Sequence, residues 1–489
     1  MNILSLDIGT TSMRGILYDE NGSTITMKSI LTPLISDCKL NTMEQKPEVY
    51  TDGITEICKA IASEYTVDAI SVTAFRSAPT LVDRSGNALH NFIMWQDTRN
   101  AEICSRLQYA NRQVYKTTGS SINTVFTASK LTWFKENTEE LYKRAYKGII
   151  VPDYIIHFMT GAFSTDYTYG SRTLLMDIRS LSWSREMCEL FRVDEEKLCD
   201  LVPQGSISGT VTKEFSQLTG IRQGVPVISA GGDQQCGALG LGVMDSATIE
   251  VNSGTGSFVI SLTDEPELSN SSVICNVSAV PGKYTQEMNI IASASALNWL
   301  IREVFPEYWG EEPNFEAINK IAEETPAGCH GVWAIPHFQG CGSRSWNPDA
   351  TAVFGGLTLS THRNDMIRAL YEGIASEIAK SINILPEVCR EAKEIAVAGG
   401  LSNSDIYLKI LCDMTGRKLI RSHNVQATGL GAFISAAAAT GLYGSFPEAL
   451  SAVRKNEECD VMIPNEDNVR FYDGYMRKTE KMFCAACTI

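Results

Sequence analysis

Two stretches of this chain, about half its length apart, repeat one pattern of a β-prone run, a glycine and hydroxyl turn, and a second β-prone run. The first is Ile3-Leu-Ser-Leu-Asp-Ile8, Gly9-Thr-Thr-Ser12 and Met13-Arg-Gly-Ile-Leu-Tyr18, and the second is Thr248-Ile-Glu-Val-Asn-Ser253, Gly254-Thr-Gly256 and Ser257-Phe-Val-Ile-Ser261. A pattern that restarts after so long an interval implies two related halves that close on a ligand between them. After the first hairpin the apolar periodicity predicts a third strand from Ser23 to Lys28, a helix from about Val49 to Tyr65, and a strand from Val67 to Thr73. After the second, Lys393-Glu-Ile-Ala-Val-Ala398 reads as a strand running into Gly399-Gly400.

Strand, strand, strand, helix, strand is the element order of a mixed sheet of the ribonuclease H or actin-like ATPase type. The expected fold is therefore α/β, with two such domains and a ligand cleft between them, divided as residues 1–243 and 244–489. A chain of 489 residues with 44% hydrophobic side chains has the length and apolar content for two cores.

The opening turn has the chemistry of a phosphate cradle. Glycine lets the backbone approach an anion, successive N–H groups with the hydroxyls of Thr10, Thr11 and Ser12 supply donors, Arg14 follows the turn, and Asp7 at the strand end can hold hydrated Mg²⁺. No G-x-x-x-x-G-K-[ST] string occurs, so a nucleotide bound here would sit on a hairpin. An ordinary N-terminal hairpin is the plainer reading. In Val225 to Gly240 a buried-type strand feeds Gly231-Gly-Asp-Gln-Gln235, putting Asp233 at a strand end where a carboxylate can take a proton from an attacking hydroxyl. Helix capping is its alternative use.

Arg76, Trp95 and Gln96 also follow β-prone runs, and a guanidinium fork beside an indole suits a hydroxylated carbon chain, unless they are a surface Arg and a core Trp. Asp97 reads as the cap of the helix continuing through Cys104. Gly399 and Gly400 permit close backbone approach, and with Asn403 would suit adenine and ribose, although the same string also serves as a bare turn.

Composition excludes several partners. The net charge is −15, from 42 basic and 57 acidic side chains with no dense Lys or Arg run, which argues against nucleic acid. No basic-then-apolar leader and no apolar run of about 18 residues is present, so no membrane role is expected and the expected compartment is the cytoplasm. The 14 cysteines are scattered through apolar contexts and read as buried reduced thiols. Cys484-Ala-Ala-Cys487 lacks the second pair or histidine cluster that a zinc site uses.

In order, the segments Asp7 to Arg14, Trp95-Gln-Asp97, Gly232-Asp-Gln-Gln235, Ser253-Gly-Thr-Gly256 and Ala398-Gly-Gly400 resemble the FGGY family of carbohydrate kinases over nearly the whole chain. Thr127 to Asn137, with Lys130 and Trp133, is similar to the family's N-domain signature. Phe354-Gly-Gly-Leu357 is similar to the motif that names the family, with Leu in place of its final Tyr. Within the family the likeness is greatest to the glycerol kinases, through Thr165 to Leu175 and through Gly331 to Asp349.

The resemblance implies ATP-dependent phosphorylation of a sugar or polyol hydroxyl, with Asp233 as general base. It implies an acceptor site of Arg76, Ser77, Trp95, Gln96, Asp233, Gln234 and Phe258. Nucleotide and phosphate would be held by Thr10, Thr11, Ser12, Arg14, Gly254, Thr255, Gly256, Asn298, Gly399, Gly400 and Asn403, and Mg²⁺ through water by Asp7 and Asp233. The implied partner is a small sugar or polyol, and a homodimer is the assembly considered.

Three departures bear on the substrate. Ser77 stands where glycerol kinases carry Glu, Val125 stands where they carry a pocket Tyr, and the Met-His pair of xylulokinases is absent from the same loop. The reading is an acceptor of four to six carbons, a ketose or polyol, with glycerol as the alternative. Ala294 replaces a glycine common near the nucleotide. An actin-like nucleotide-dependent binding protein without a sugar acceptor is the reading from another class, opposed by the Asp-Gln-Gln and Trp-Gln elements. A dinucleotide oxidoreductase fails for want of G-x-G-x-x-G between an N-terminal strand and helix.

Overall fold

Ile3–Ile8 sits at the centre of a six-stranded sheet whose order is Ser206–Thr210, Pro226–Gly232, Ala69–Ala74, Ile3–Ile8, Ser12–Tyr18, Thr24–Leu31. Ile3–Ile8, Ala69–Ala74 and Pro226–Gly232 run parallel, and the hairpin strands run antiparallel beside them. The computed structural model describes all residues except 38–41, 425, 456 and 487–489, and all described side chains except those of 483–486. The Cys484/Cys487 pair lies outside the described residues on that account.

The second sheet repeats the plan. Its order is Ile274–Val277, Tyr284–Ile290, Ser257–Thr263, Thr248–Ser253, Glu394–Ala398, Lys418–Ser422, Cys459–Met462, with Thr248–Ser253, Glu394–Ala398 and Lys418–Ser422 parallel. Both are ribonuclease H-like, actin-like sheets, as the strand order in the sequence implies.

Local chemistry explains the element limits. The helix Pro47–Ala62 begins two residues earlier than Val49 because Pro47 occupies its first turn, where a missing N–H costs nothing. It buries Tyr50, Ile54, Ile57, Cys58 and Ile61 along one face. Gly53 and Gly15 let it settle on the sheet: a Cβ on Gly53 would stand 2.5 Å from Met13 Sδ, and one on Gly15 2.2 Å from Ile57. The third strand runs to Leu31, beyond Lys28, with most of its side chains exposed at the sheet edge.

The halves are joined by more than the chain. Helix Ala427–Ala439, from the second half of the sequence, lies on the first sheet, where its Ala432 carbonyl accepts from Ser71 Oγ at 2.6 Å. Helix Asp233–Gly240 lies against it backbone to backbone. A Cβ on Gly240 would stand 1.9 Å from the Ala427 carbonyl oxygen, and one on Gly431 1.9 Å from that of Cys236. Ile3, Ile16, Leu239, Ile260, Leu262 and Phe433 form a core shared by the two lobes. The described cysteines are free thiols, all buried except Cys459. Among the described residues, no helix is long and apolar enough to cross a membrane.

Candidate functional site

Three parallel strands end in one row. Ile8 pairs with Ala74, and Ala74 with Gly232, so Asp7, Arg76 and Asp233 come from neighbouring strand ends at one edge of the first sheet. A register shift between Ser229 and Gly231 bends the last of these strands just before its turn. The turn is held by side chains: Tyr169 Oη and Thr73 Oγ1 donate to the Gly231 carbonyl at 2.8 Å each, and Gly232 N donates to Thr168 Oγ1 at 2.9 Å. Gly231 has φ +119°, which favours glycine there. Asp233 is the first residue of its helix and Gly232 the cap, so the carboxylate is not used for capping.

Arg76 is buried, and its guanidinium faces three groups. Nε lies 3.5 Å from Asp233 Oδ1, and Nη1 lies 3.1 Å from Glu287 Oε2 and 3.3 Å from Gln235 Oε1. Arg172 Nη1 approaches the other Glu287 oxygen at 3.5 Å. Glu287 belongs to strand Tyr284–Ile290 of the second lobe, so two guanidiniums of one lobe grip a carboxylate of the other. Burial raises the Asp233 pKa, opposed by the nearby Arg76 charge. Asp7 is pushed up to about 6, first by burial and then by the charge of Asp233, with Arg14 pulling the other way.

The surface Arg and core Trp alternative is reversed here, since Arg76 is 8% exposed and Trp95 38%. Trp95 Nε1 donates to Thr10 Oγ1 at 3.2 Å, linking the indole to the opening hairpin. Lys130, fully buried, explains how three separate loops meet. Its Nζ donates to the carbonyls of Met94 at 2.8 Å, Val125 at 3.1 Å and Ser77 at 3.2 Å, fixing the backbone beside Trp95 and at both positions that depart from the glycerol kinases. Burial lowers the Lys130 pKa to about 7. Ser77 has φ 68°, left-handed backbone that persists where its surroundings over-determine it. Gln96 Oε1, Gln234 Oε1 and Arg172 Nε are buried without partners.

Asp97 requires a correction. The helix begins at Ala101 with Asn100 as its cap, whereas Asp97 accepts from Met43 N at 2.6 Å and from Arg99 N at 2.9 Å, and pairs with the Arg99 guanidinium. It is fully buried and ties the strand at Met43 to the Trp95 loop, which a partner for Arg99 achieves and a cap would not.

The second lobe gathers its glycine turns likewise. Asn252 pairs with Ala398, which sets Gly254 and Gly399 side by side at adjacent strand ends. Gly399 has φ +86°, and a Cβ there would lie 2.5 Å from the Ser253 carbonyl oxygen, whereas one on Gly400 would meet nothing within 4 Å. The carbonyls of Gly254 and Thr255 accept from Ala294 N at 3.0 Å and Ser293 N at 2.8 Å, fastening the turn to the start of helix Ala294–Val304. Gly256 abuts the next strand, since a Cβ would lie 2.5 Å from the Ile290 carbonyl oxygen. Asn298, on that helix, has a buried Oδ1 without a partner. Phe258 packs against the core shared by the lobes.

In the opening hairpin, Ser12 O accepts from Gly9 N at 2.9 Å, and Gln45 Nε2 donates to Thr10 O at 2.9 Å. Arg14 Nη1 reaches Gln426 Oε1 across the lobes at 3.3 Å. Thr11 and Asn403 are exposed. Glu287 was invisible as a site residue in the sequence. Its only signal was an acidic residue inside a β-prone run, and its meaning came from the two arginines far away in the chain.

The fold agrees with comparisons to known proteins. Residues 2–240 match the N-terminal domain and residues 250–440 the C-terminal domain of the FGGY family of carbohydrate kinases. The chain is 26% identical to the xylulose kinase of Bacillus subtilis, over 96% of this chain and 94% of that protein. It is 28% identical to the glycerol kinase of Thermococcus onnurineus, over 98% and 97%. The crystal structure of ligand-bound xylulose kinase from Lactobacillus acidophilus superposes with a TM-score of 0.92 at 23% identity, covering 99% of this chain and 98% of that one. With both family domains matched in order across this fold, the chain belongs to the FGGY family of carbohydrate kinases and is an ATP-dependent phosphotransferase with an alcohol group as acceptor.

Proposed function

We propose that the cleft edge carrying Asp7, Arg76 and Asp233 is the phosphoryl-transfer site, and that the acceptor is an uncharged ketose or polyol of four to six carbons. The observation that carries this reading is the grip of Arg76 on Asp233 and Glu287 at 3.5 and 3.1 Å. It holds Asp233 at the mouth of the cleft as the general base that takes the proton of the attacking hydroxyl. Thr10, Thr11, Ser12 and Arg14 on one lobe, with Gly254, Thr255 and Gly256 on the other, offset charge on the transferring phosphoryl group.

Two carboxylates crowded enough for Asp233 to raise the pKa of Asp7 are hard oxygen donors suited to Mg²⁺. Asp7 and Asp233 would hold that ion through water, and when bound it neutralises charge on the ATP phosphates. Gly399, Gly400, Asn298 and Asn403 are assigned to the nucleotide. Gly400→Val should accordingly raise KM for ATP far more than KM for the acceptor, since the open space beside Gly400 is where nucleotide would lie. An initial-rate study varying each substrate checks this, and an effect on the acceptor KM alone would reverse the assignment of the two lobes.

Charge balance supports an uncharged acceptor. Among the described residues, Arg76 and Arg172 are matched by Glu287 and Asp233, so neither guanidinium is left over for a sugar acid. Arg172 Nε, Gln96 Oε1 and Gln234 Oε1 are buried polar atoms that substrate hydroxyls would satisfy. Ser77 and Val125 open room where a glycerol-type pocket has Glu and Tyr. Each neutral hydrogen bond contributes about 0.5–1.5 kcal/mol net, so one further well-placed hydroxyl should favour the longer chain by a few-fold to roughly tenfold in kcat/KM. A panel of three- to six-carbon polyols, ketoses and sugar acids, read by acceptor-stimulated ADP release, tests this. Glycerol as the best acceptor would overturn the reading of Ser77 and Val125. ADP release that no acceptor stimulates would favour a nucleotide-dependent binding protein.

A further inference from the structure

We propose that His337, Cys341 and Glu377 form a buried zinc site of three protein donors in the second lobe, separate from the phosphoryl-transfer site. One donor atom from each residue lies within 4.8 Å of the other two, and His337 Nε2 stands 3.3 Å from Glu377 Oε2. Zinc bonds of about 2.0–2.3 Å to nitrogen, oxygen and sulfur put tetrahedral donors roughly 3.3–3.8 Å apart, so the three side chains would draw in by up to about 1.5 Å around an ion. The same three side chains line a small cavity of about 10 Å³ together with Asn289, Gly340, Gly342 and Arg344. That is room for one water-sized body. Each of the three residues is 3% exposed. The mixture of imidazole, thiolate and carboxylate suits zinc better than Mg²⁺ or Ca²⁺, which take oxygen.

The surroundings hold these donors in place. Glu377 accepts from Arg344 Nη1 at 2.6 and 2.8 Å, Arg344 Nη2 reaches Glu480 at 2.8 Å, and Lys380 lies 3.2 Å from Glu480. Arg344 and Lys380 are thus set against Glu377 and Glu480. Such outer partners orient metal ligands. The loop carrying His337 and Cys341 is seated on strand Tyr284–Ile290, since a Cβ on Gly342 would lie 2.3 Å from the Asn289 carbonyl oxygen, and Ser343 N donates to Asn289 Oδ1 at 3.0 Å. Asn289 is two residues from Glu287. An ion here would fasten that loop to helix Arg363–Ile382, which carries Glu377, behind the Glu287 strand.

The test is metal analysis and optical spectroscopy on the full chain. The protein purified without chelator should retain one zinc per chain, and cobalt substitution should give a near-ultraviolet sulfur-to-cobalt charge-transfer band with tetrahedral visible bands. Cys341→Ser should abolish the charge-transfer band, and His337→Gln should weaken zinc affinity by more than about 100-fold. Cys484→Ser with Cys487→Ser should leave both the stoichiometry and the band unchanged. Wild-type protein that takes up neither zinc nor cobalt overturns the proposal. So does a band that survives Cys341→Ser or disappears with the Cys484 and Cys487 substitutions. If Cys341→Ser does not fold, the cobalt spectrum of the wild type and its persistence in the double variant still decide.

Discussion

Asp233→Asn is expected to lower kcat by about 10²- to 10⁴-fold, the usual loss when a general base is removed. The KM for ATP should stay nearly unchanged. The amide preserves shape and still accepts through its oxygen from Gln234 N, which the carboxylate now does at 2.8 Å, so the start of the helix is retained. Nothing in the second lobe's glycine turns depends on the charge at this position. Acceptor-dependent ADP release and product formation, measured together, separate loss of transfer from loss of binding. Turnover close to that of the parent would remove Asp233 from the role of base.

Arg76→Ala should lower kcat/KM for the preferred acceptor by about 10- to 100-fold, since a hydrogen bond to a charged group contributes about 1.5–3 kcal/mol. The fall should appear in kcat as well as KM, because the same guanidinium also contacts Asp233. The variant should also lose roughly 3–5 kcal/mol of stability, as Glu287 keeps only Arg172 at 3.5 Å. Arg76→Lys retains charge without the fork, and should recover stability more than activity. Denaturant unfolding and initial-rate kinetics on both variants check this. An unchanged acceptor kcat/KM in Arg76→Ala would exclude Arg76 from the site.

Much of this architecture was legible because it is written in local chemistry. The hairpin at Gly9 to Ser12, its counterpart at Gly254 to Gly256 and the strand entering Gly399 each announce themselves by alternation and by glycine where only glycine fits. Asp233 was legible for the same reason, as a carboxylate at the end of a buried-type strand. What stayed hidden depends on chain partners far apart. Glu287 gains its role from Arg76 and Arg172, which lie 211 and 115 residues away. Lys130 was readable as part of a signature, but its three carbonyl partners come from loops that only the fold brings together. Asp97 misleads because a carboxylate before a helical run is usually a cap, and a nearby arginine outbids the helix for it.

The glycine contact between helices Asp233–Gly240 and Ala427–Ala439 has a geometric consequence. With only hydrogen at Gly240 and Gly431, the two rods touch backbone to backbone. One rod is fastened to the first sheet through Ser71 Oγ, and the other begins with Asp233. A methyl group at either glycine would wedge the rods apart, so this contact sets where the carboxylate at the head of the second rod stands relative to the sheet beneath it.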